Sequence, residues 1–502
     1  MRKILLLLTI VPLSLLAQSI PSMDTSFATF GRVSLSVWNN NYANCTAVQP
    51  DKKIIVGGMI QQNTPTTRQS YILARYNENG ILDSTFGSNG LLYNDISNSG
   101  NIYDIKVMPD GKIIIAGRWN NGAFIGRLLA NGSFDTSFGT NGVTEFTGSY
   151  IRDVEILSDG TIVGYGQKNT ESLLVKLNLN GQNDSTFGNN GIVSTNFGYP
   201  SLINNAMVRQ SDGKFIITGA VVPNSSYPQN NQVFVAQYTA NGILDLTFGT
   251  NGIILYNNDV KVGRDIAVTP SGKILVLAEK PDAIITSIGT TSLFYLLQFN
   301  IDGTLDMTFN NLGYTGFGPT YCSSVKVDSQ NKIYIGSLHF NSTSYYYFRQ
   351  VIRLNADGSK DTSFGNAGIY NSNTRVYPSE YVYGNNNMNF APDGKLVLGS
   401  YVNTPSFSIT IMRLNISPTN LSLSENIVKS ENISIYPNPV KDFINIKSKN
   451  DILLLELTDI SGRSITKKIK ETRLDLQMVP AGTFILKVKT THEEESFKVI
   501  KR

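Results

Sequence analysis

The sequence predicts an all-β protein, a seven-bladed β-propeller followed by a small β-sandwich. Three observations lead there. A loop of the form Asp-x-Ser/Thr-Phe recurs, its phenylalanines Phe27, Phe86, Phe138, Phe187, Phe248, Phe309 and Phe364 lying 59, 52, 49, 61, 61 and 55 residues apart. A second marker, a Pro/Ser-Asp-Gly-Lys turn or a variant of it, falls once after each of those phenylalanines, at residues 50–53, 109–112, 158–161, 211–214, 270–273, 329–332 and 392–395. Beyond residue 415 both markers stop and shorter alternating strands begin. A period of this size marks a repeat architecture rather than a string of unrelated domains.

Residues 1–17 read as a signal peptide. Met1-Arg2-Lys3 supplies the basic start, Ile4 to Leu16 a mostly apolar core, and Ala17-Gln18 the small-residue break. The apolar run is too short to span a bilayer, and no later stretch approaches ~18 unbroken apolar residues, so no transmembrane span is expected in the mature chain. No cysteine follows the break, so a lipid anchor is not supported. The expected address is outside the inner membrane.

Residues 18–415 form the repeat array. Asp-Gly between apolar runs is a hairpin signal, because glycine supplies the positive φ of the turn. After the turn come β-branched runs such as Ile54-Ile55-Val56 and Ile113-Ile114-Ile115, and before it alternating segments such as Tyr103 to Val107. A third strand, as at Phe124 to Leu128, leads into the Asp-x-Ser/Thr-Phe loop, and a fourth follows its closing glycine, as at Val143 to Phe146. Four strands per unit fit a propeller blade. Solenoid turns are commonly shorter, and independent sandwiches need about seven strands each. In the seventh unit, Met412-Arg413-Leu414 runs on without a loop, and the surplus copy is Asp24 to Phe27. That first copy is expected to dock beside the last strand and close the ring.

Residues 416–430 are polar and punctuated, as in a linker. Residues 431–502 carry strands at Ile433–Tyr436, Phe443–Ile446, Ile452–Leu457, Phe484–Val488 and Phe497–Ile500, a compact sandwich without repeat markers. Its motifs are Tyr436-Pro437-Asn438-Pro439-Val440, Asp459-Ile460-Ser461-Gly462-Arg463, Pro480-Ala481-Gly482-Thr483-Phe484 and the basic end Lys501-Arg502. In these the segment resembles the type A sorting domain of the type IX secretion system of Bacteroidetes, with Phe484 where tyrosine is more usual. The resemblance implies Pro437, Asn438, Pro439, Gly462, Gly482, Lys501 and Arg502 as sorting-motif residues. It implies the secretion machinery and its sortase as partners, and a secreted or surface-attached destination. The repeats likewise resemble the delta-60 repeat family, a propeller family of uncharacterised function.

Chemistry is less marked. The formal charge is only +4, and no basic stripe of the kind that nucleic-acid binders carry is visible. Cys45 and Cys322 are two residues, not a disulfide framework. Asn355, Asp357 and Asp361 have the alternate oxygen spacing of a calcium loop, but other copies keep too few carboxylates, and an Asx-capped turn explains the same residues. No cofactor is expected. Eight residues before the loop aspartate stand Arg75, Arg127, Lys176, Gln237, Gln298 and Arg353, with Arg413 as the last counterpart, donors suited to bonding the loop or the next blade. Asp104, Asp153 and Asp265 share a column with Cys45, Ala206, Ser324 and Asn387; a ring of them could hold a cation or sugar, but the mixed occupancy favours hydrogen bonding at strand ends. With only His339 and His492 present, a histidine-based site is not supported. The expected function is non-enzymatic binding or adhesion to glycan or protein. The alternative is a polysaccharide-active hydrolase or lyase with carboxylates from blade loops.

Overall fold

The computed structural model describes residues 21–501, apart from 64–67, 94–99, 120–121, 225–229, 287–288, 319, 342–345, 377–387, 404–406, 417–432, 437–439, 460–463, 478, 480–481 and 492–493. The expected signal peptide, Pro437, Asn438, Pro439, Gly462 and Arg502 lie outside the described residues. Contacts divide the chain into two units, 1–419 and 420–502, and the division falls inside the expected linker.

The first unit is a seven-bladed propeller. Six blades are four-stranded antiparallel sheets whose strands follow one another in chain order. Blade one is Asn40–Val48, Ile54–Gln62, Arg68–Tyr76 and Leu91–Tyr93. Blade two is Gly100–Val107, Ile113–Trp119, Gly122–Leu128 and Val143–Thr147. Blades three to six repeat the plan from Ser149, Ser201, Val262 and Thr320. Up-and-down order puts the Asp-Gly turn and the Asp-x-Ser/Thr-Phe loop at the same end of each blade. The hairpin between second and third strands and the passage to the next blade lie at the other end. Apolar clusters run between blades rather than within them: Ile55, Leu73 and Phe86 of blade one pack with Ile105, Ile115 and Phe124 of blade two.

The seventh blade is a composite. Its chain-local strands Met388–Phe390, Leu396–Asn403 and Phe407–Asn415 are joined by Ser22–Met23 and Arg32–Leu35 from the N-terminus, both pairing with Phe407–Asn415. Ser22 faces Asn415 and Arg32 faces Met412. The first loop copy therefore stands beside the last strand, and it brings an outermost strand with it. The two N-terminal strands cover the otherwise open edge of Phe407–Asn415.

The second unit is a sandwich of two sheets. One holds Ile433–Tyr436, Phe443–Ser448 and Arg473–Asp475. The other, in the order Ser464–Ile469, Ile452–Asp459, Gly482–Thr490 and Glu494–Lys501, completes it. Two of these strands, Ser464–Ile469 and Arg473–Asp475, went unread in the sequence. Both are edge strands, and Lys467, Lys468 and Arg473 interrupt their apolar pattern, as edges tolerate. The core gathers Ile444, Leu455, Leu457, Leu474, Leu486 and Val499. Among the described residues no helix is long and apolar enough to cross a membrane.

Candidate functional site

The two repeat markers meet in space. In every loop copy the aspartate divides its oxygens between two tasks. Oδ1 accepts the backbone N–H and hydroxyl of the Ser/Thr two residues on, at 3.1 and 2.7 Å in the Asp83–Thr85 copy, which fixes the turn. Oδ2 receives a cation. The turn lysine reaches it at 3.2 Å in Lys53–Asp83, 3.0 Å in Lys112–Asp135, 2.8 Å in Lys214–Asp245, 2.9 Å in Lys273–Asp306, 2.8 Å in Lys332–Asp361 and 2.9 Å in Lys395–Asp24. Blade three has Thr161 in place of the turn lysine, and there the column residue Lys176 pairs with Asp184 at 2.9 Å.

That arrangement explains why the column varies. Where it is neutral, at Gln237 and Gln298, the turn lysine alone supplies the charge; where it is arginine, two cations converge. Arg127 shows the full set of contacts. Its Nε donates to Asp135 at 2.8 Å, one terminal nitrogen to Ser137 Oγ at 3.0 Å, and the other to the Leu179 carbonyl of blade three at 2.5 Å. Its plane lies 4.7 Å over Phe138. A planar five-donor fork suits such a joint better than an ammonium would.

The loop then locks onto the next blade. In blades one to five the residue after the phenylalanine donates its N–H to the turn of the following blade: Gly87 to Asn131 at 2.8 Å, Gly139 to Asn180 at 2.7 Å, Gly188 to Asn241 at 3.0 Å, Gly249 to Asp302 at 2.9 Å and Asn310 to Asp357 at 2.6 Å. The turn glycine rests on the ring: at Gly132, with φ +88°, an added Cβ would stand 2.8 Å from Phe86 Cε2. All seven loop phenylalanines are buried. The closing junction repeats the pattern across the termini. Arg413 donates to Asp24 at 2.6 Å and to the Glu78 carbonyl at 2.7 Å, stacks on Phe27 at 4.7 Å, and Ala28 donates to Asn79 at 2.7 Å.

These partners depress the loop carboxyls. Burial alone would raise Asp83, but the Thr85 hydrogen bonds, Lys53 and Arg75 outweigh it and hold it down at about 2. At Asp245 the Lys214 and Thr247 hydrogen bonds do the same, again to about 2. Two cations, Lys332 and Arg353, stand at Asp361, where the calcium reading would put the ion, while Asp357 accepts from Ser359 as an Asx turn does.

A second ring of ties runs along the innermost strands, and the sequence had shown only its aspartates. Pairing slips at Ala43/Cys45, Ile102/Asp104, Ile151/Asp153, Asn204/Ala206, Gly263/Asp265 and Cys322/Ser324. Each slip is a β-bulge that re-aims the strand. Just after it, Asp104, Asp153 and Asp265 accept backbone N–H groups of the next blade, from Val154 at 3.0 Å, Met207 at 2.9 Å and Val325 at 2.8 Å. At other junctions an amide does the work: Asn44 donates to Ile102, Asn205 to Gly263 and Asn389 to Thr46, at 2.9, 2.7 and 2.7 Å. The carboxylates cap strand edges, and Lys106 sits among them, 3.3 Å from Asp104 and 3.8 Å from Asp153. Burial opposes the Lys106 charge, but Asp104, Glu155 and Asp153 together raise its pKa.

The remaining candidates are dispersed. Cys45 and Cys322 are buried free thiols in blades one and six. Glu279 is held by Arg264 and by Ser292. Glu155 faces Lys106, and Glu171 accepts from Ser194. Glu145 accepts the Trp119 indole N–H at 2.5 Å beside an open groove of about 730 Å3.

Fold and latch together define a repeat propeller carrying a separately folded C-terminal domain. Comparison with known proteins sharpens both halves. Residues 434–502 match the family described as secretion system C-terminal sorting domain, and the chain carries such a domain of the type IX kind. Residues 49–86, 109–138 and 331–364 match the domain of unknown function (DUF5122) beta-propeller, and all three segments begin at or beside the turn marker and end on the loop phenylalanine. No curated protein matches the chain. Similar solved structures include the β-propeller domain of the Trilobed protease from Pyrococcus furiosus, 9% identical, covering 76% of this chain and 97% of that one at a TM-score of 0.39. A protein of unknown function from Bacteroides caccae is 11% identical, covering 63% and 99% at 0.35. Drosophila Semaphorin 1b is 9% identical, covering 78% and 87% at 0.40.

Proposed function

We propose that this chain is an exported propeller that binds glycan or protein outside the cell, with residues 1–17 carrying it across the inner membrane and residues 431–502 across the outer one. In this reading the machinery's sortase then removes the C-terminal domain and leaves the propeller attached or released. The sorting domain supports the route. The observation that carries the binding role is the unequal treatment of the two ends of each blade. At the turn-and-loop end the same Asp, Ser/Thr, Phe and cation recur and spend their polar atoms on one another. At the opposite end the strand lengths differ: in blade two the second strand ends at Trp119 and the third begins at Gly122, whereas in blade five the pair extends to Ile274–Thr286 and Gly289–Phe299. Loops that vary on a rigid scaffold are where recognition is built.

The test uses the native host and the full chain. Deleting residues 431–502 is expected to abolish external display, read by protease shaving and immunodetection. The purified mature chain is expected to be retained on an array of glycans and matrix proteins while releasing no reducing ends from polysaccharides. Unchanged display after the deletion refutes the route; polysaccharide turnover refutes the binding role.

A further inference from the structure

A repeat protein contains its own controls, because register identifies equivalent positions in every blade. Three positions come together at the first junction and have register equivalents at the others: one on the third strand of a blade, and two on the second and outermost strands of the blade that follows. At the first junction they are Tyr71, Trp119 and Glu145, with Trp119 opposite Gly122 and Glu145 opposite Phe124. The same positions hold Ala123, Lys168 and Ser194 at the second junction, Ser172, Val221 and Leu255 at the third, and Val233, Lys280 and Gly316 at the fourth. At the fifth they are Phe294, His339 and Asn371. Among these junctions, only the first joins two large aromatic rings with a carboxylate; the Tyr71 position is aromatic again at Phe294, but no equivalent of Trp119 is a tryptophan and no equivalent of Glu145 is acidic.

The geometry there is that of a prepared platform. Trp119 stacks on the buried Phe124 ring at 4.1 Å and 14°, and Tyr71 stands 6.0 Å away. The indole N–H is tied to Glu145 Oε1 at 2.5 Å, so the ring cannot swing. The half-buried Trp119 lines the groove of about 730 Å3 together with Tyr71 of blade one, Thr140, Asn141 and Glu145 of blade two, and Asn183 of blade three. The carboxylate is exposed and has one oxygen beyond the indole contact to offer. An apolar ring fixed beside an acceptor-only carboxylate and amides is the chemistry that takes a sugar: ring C–H groups lie on the aromatic surface while hydroxyls donate to the carboxylate. Fixing the ring in advance removes the cost of ordering that side chain on binding.

We propose that this groove, which runs along blade two from Tyr71 of blade one to Asn183 of blade three, is a subsite for a neutral pyranose, with Trp119 as its platform and Glu145 as its hydroxyl acceptor. The proposal rests on the binding role above and names its ligand class. The exposed negative charge of Glu145 selects against uronic acids and other acidic sugars.

Trp119 can report on its own site. The sequence has two tryptophans, Trp38 and Trp119, so Trp38→Phe in the full mature chain leaves a single indole. That variant is titrated with cellohexaose, xylohexaose, mannohexaose and laminarihexaose while indole emission is followed. A saturable shift with at least one of them is expected. Glu145→Gln is expected to weaken it about tenfold or more, as loss of a charge-assisted hydrogen bond does. Trp119→Ala, studied by array retention, is expected to lose it, with Trp119→Phe partly restoring it and showing that the fold survives. Lys168→Ala, at the equivalent position of blade three, is expected to leave it unchanged. If the chain is retained on the arrays but the indole emission is blind to all four sugars, or Trp119→Ala keeps full affinity, the subsite is wrong and the binding role stands. If the chain is retained on no array at all, the binding role fails and the subsite with it.

Discussion

Two junctions of the ring use the same parts in different circumstances. Between blades two and three, Arg127 gathers Asp135, Ser137, Phe138 and the Leu179 carbonyl, and the aspartate is its neighbour by eight residues. Between blades seven and one, Arg413 gathers Asp24, Ser26, Phe27 and the Glu78 carbonyl, and the aspartate lies 389 residues away. The contacts are equivalent, but one set is delivered by the local chain and the other by closing almost the whole molecule into a loop. Closure entropy grows only with the logarithm of loop length, so a junction of ordinary strength suffices to hold the ring. It also makes this junction the one whose loss leaves the blades in place while freeing two ends.

The largest expected effect follows from removing the closure. Deleting residues 21–35 strips strands Ser22–Met23 and Arg32–Leu35 from Phe407–Asn415 and bares an edge beside the buried Ile409 and Ile411. The propeller is expected to lose its single cooperative unfolding transition, with early proteolysis confined to blade seven. A single midpoint near that of the intact chain would show that closure is dispensable. Phe27→Ala should cost about 3–5 kcal/mol, the range for truncating a buried ring, measured by denaturant unfolding. Phe138→Ala should fall in the same range if the two junctions are as alike as their contacts.

The cation columns give a finer contrast. In blade four the column residue is neutral Gln237, so Lys214→Met leaves Asp245 without a positive partner and is expected to cost about 2 kcal/mol. In blade two Lys112→Met leaves Arg127 on Asp135 and should cost about 1 kcal/mol or less. Equal effects would mean that the two cations do not substitute for each other.

Acid tests all the junctions at once. Asp83, Asp184, Asp245 and Asp361 are held at about 2, below the ordinary value near 4 of an unfolded aspartate. The unfolded chain therefore binds protons first as pH falls, so their stabilisation is complete above about pH 4 and is lost as pH drops toward 2. The contribution of these four carboxyls to the unfolding midpoint should be flat from pH 5 to 7 and fall steeply below 4.

The smallest effect concerns one worn position. The residue before the closing glycine adopts positive φ in Asn89, Asn141, Asn190 and Asn251, but in blade six it is Ala367, at φ 51°. Asparagine tolerates that region better than alanine, so Ala367→Asn should stabilise by about 0.5–1 kcal/mol. No gain would mean that blade six has already relaxed the strain.

The sequence by itself determined the number of blades, the joint between first and last, and the secretion domain. Blade counting works because a repeat must spend the same residues at every junction: Phe27 to Phe364 are written seven times for one packing problem. The closing copy is legible as the one written out of place. What the tertiary structure decided is everything that depends on residues brought together from different units. Lys112 and Asp135 are 23 residues apart and belong to motifs that read as separate until the two side chains meet at 3.0 Å. The aspartate column read as a possible ion ring until Asp104 was found on the Val154 N–H with Lys106 beside it. The Trp119 platform left no trace in the pattern, since Tyr71, Trp119 and Glu145 come from three strands and two blades. Periodicity reveals what every blade shares. A binding site is a departure from it, and only packing shows which departures face one another.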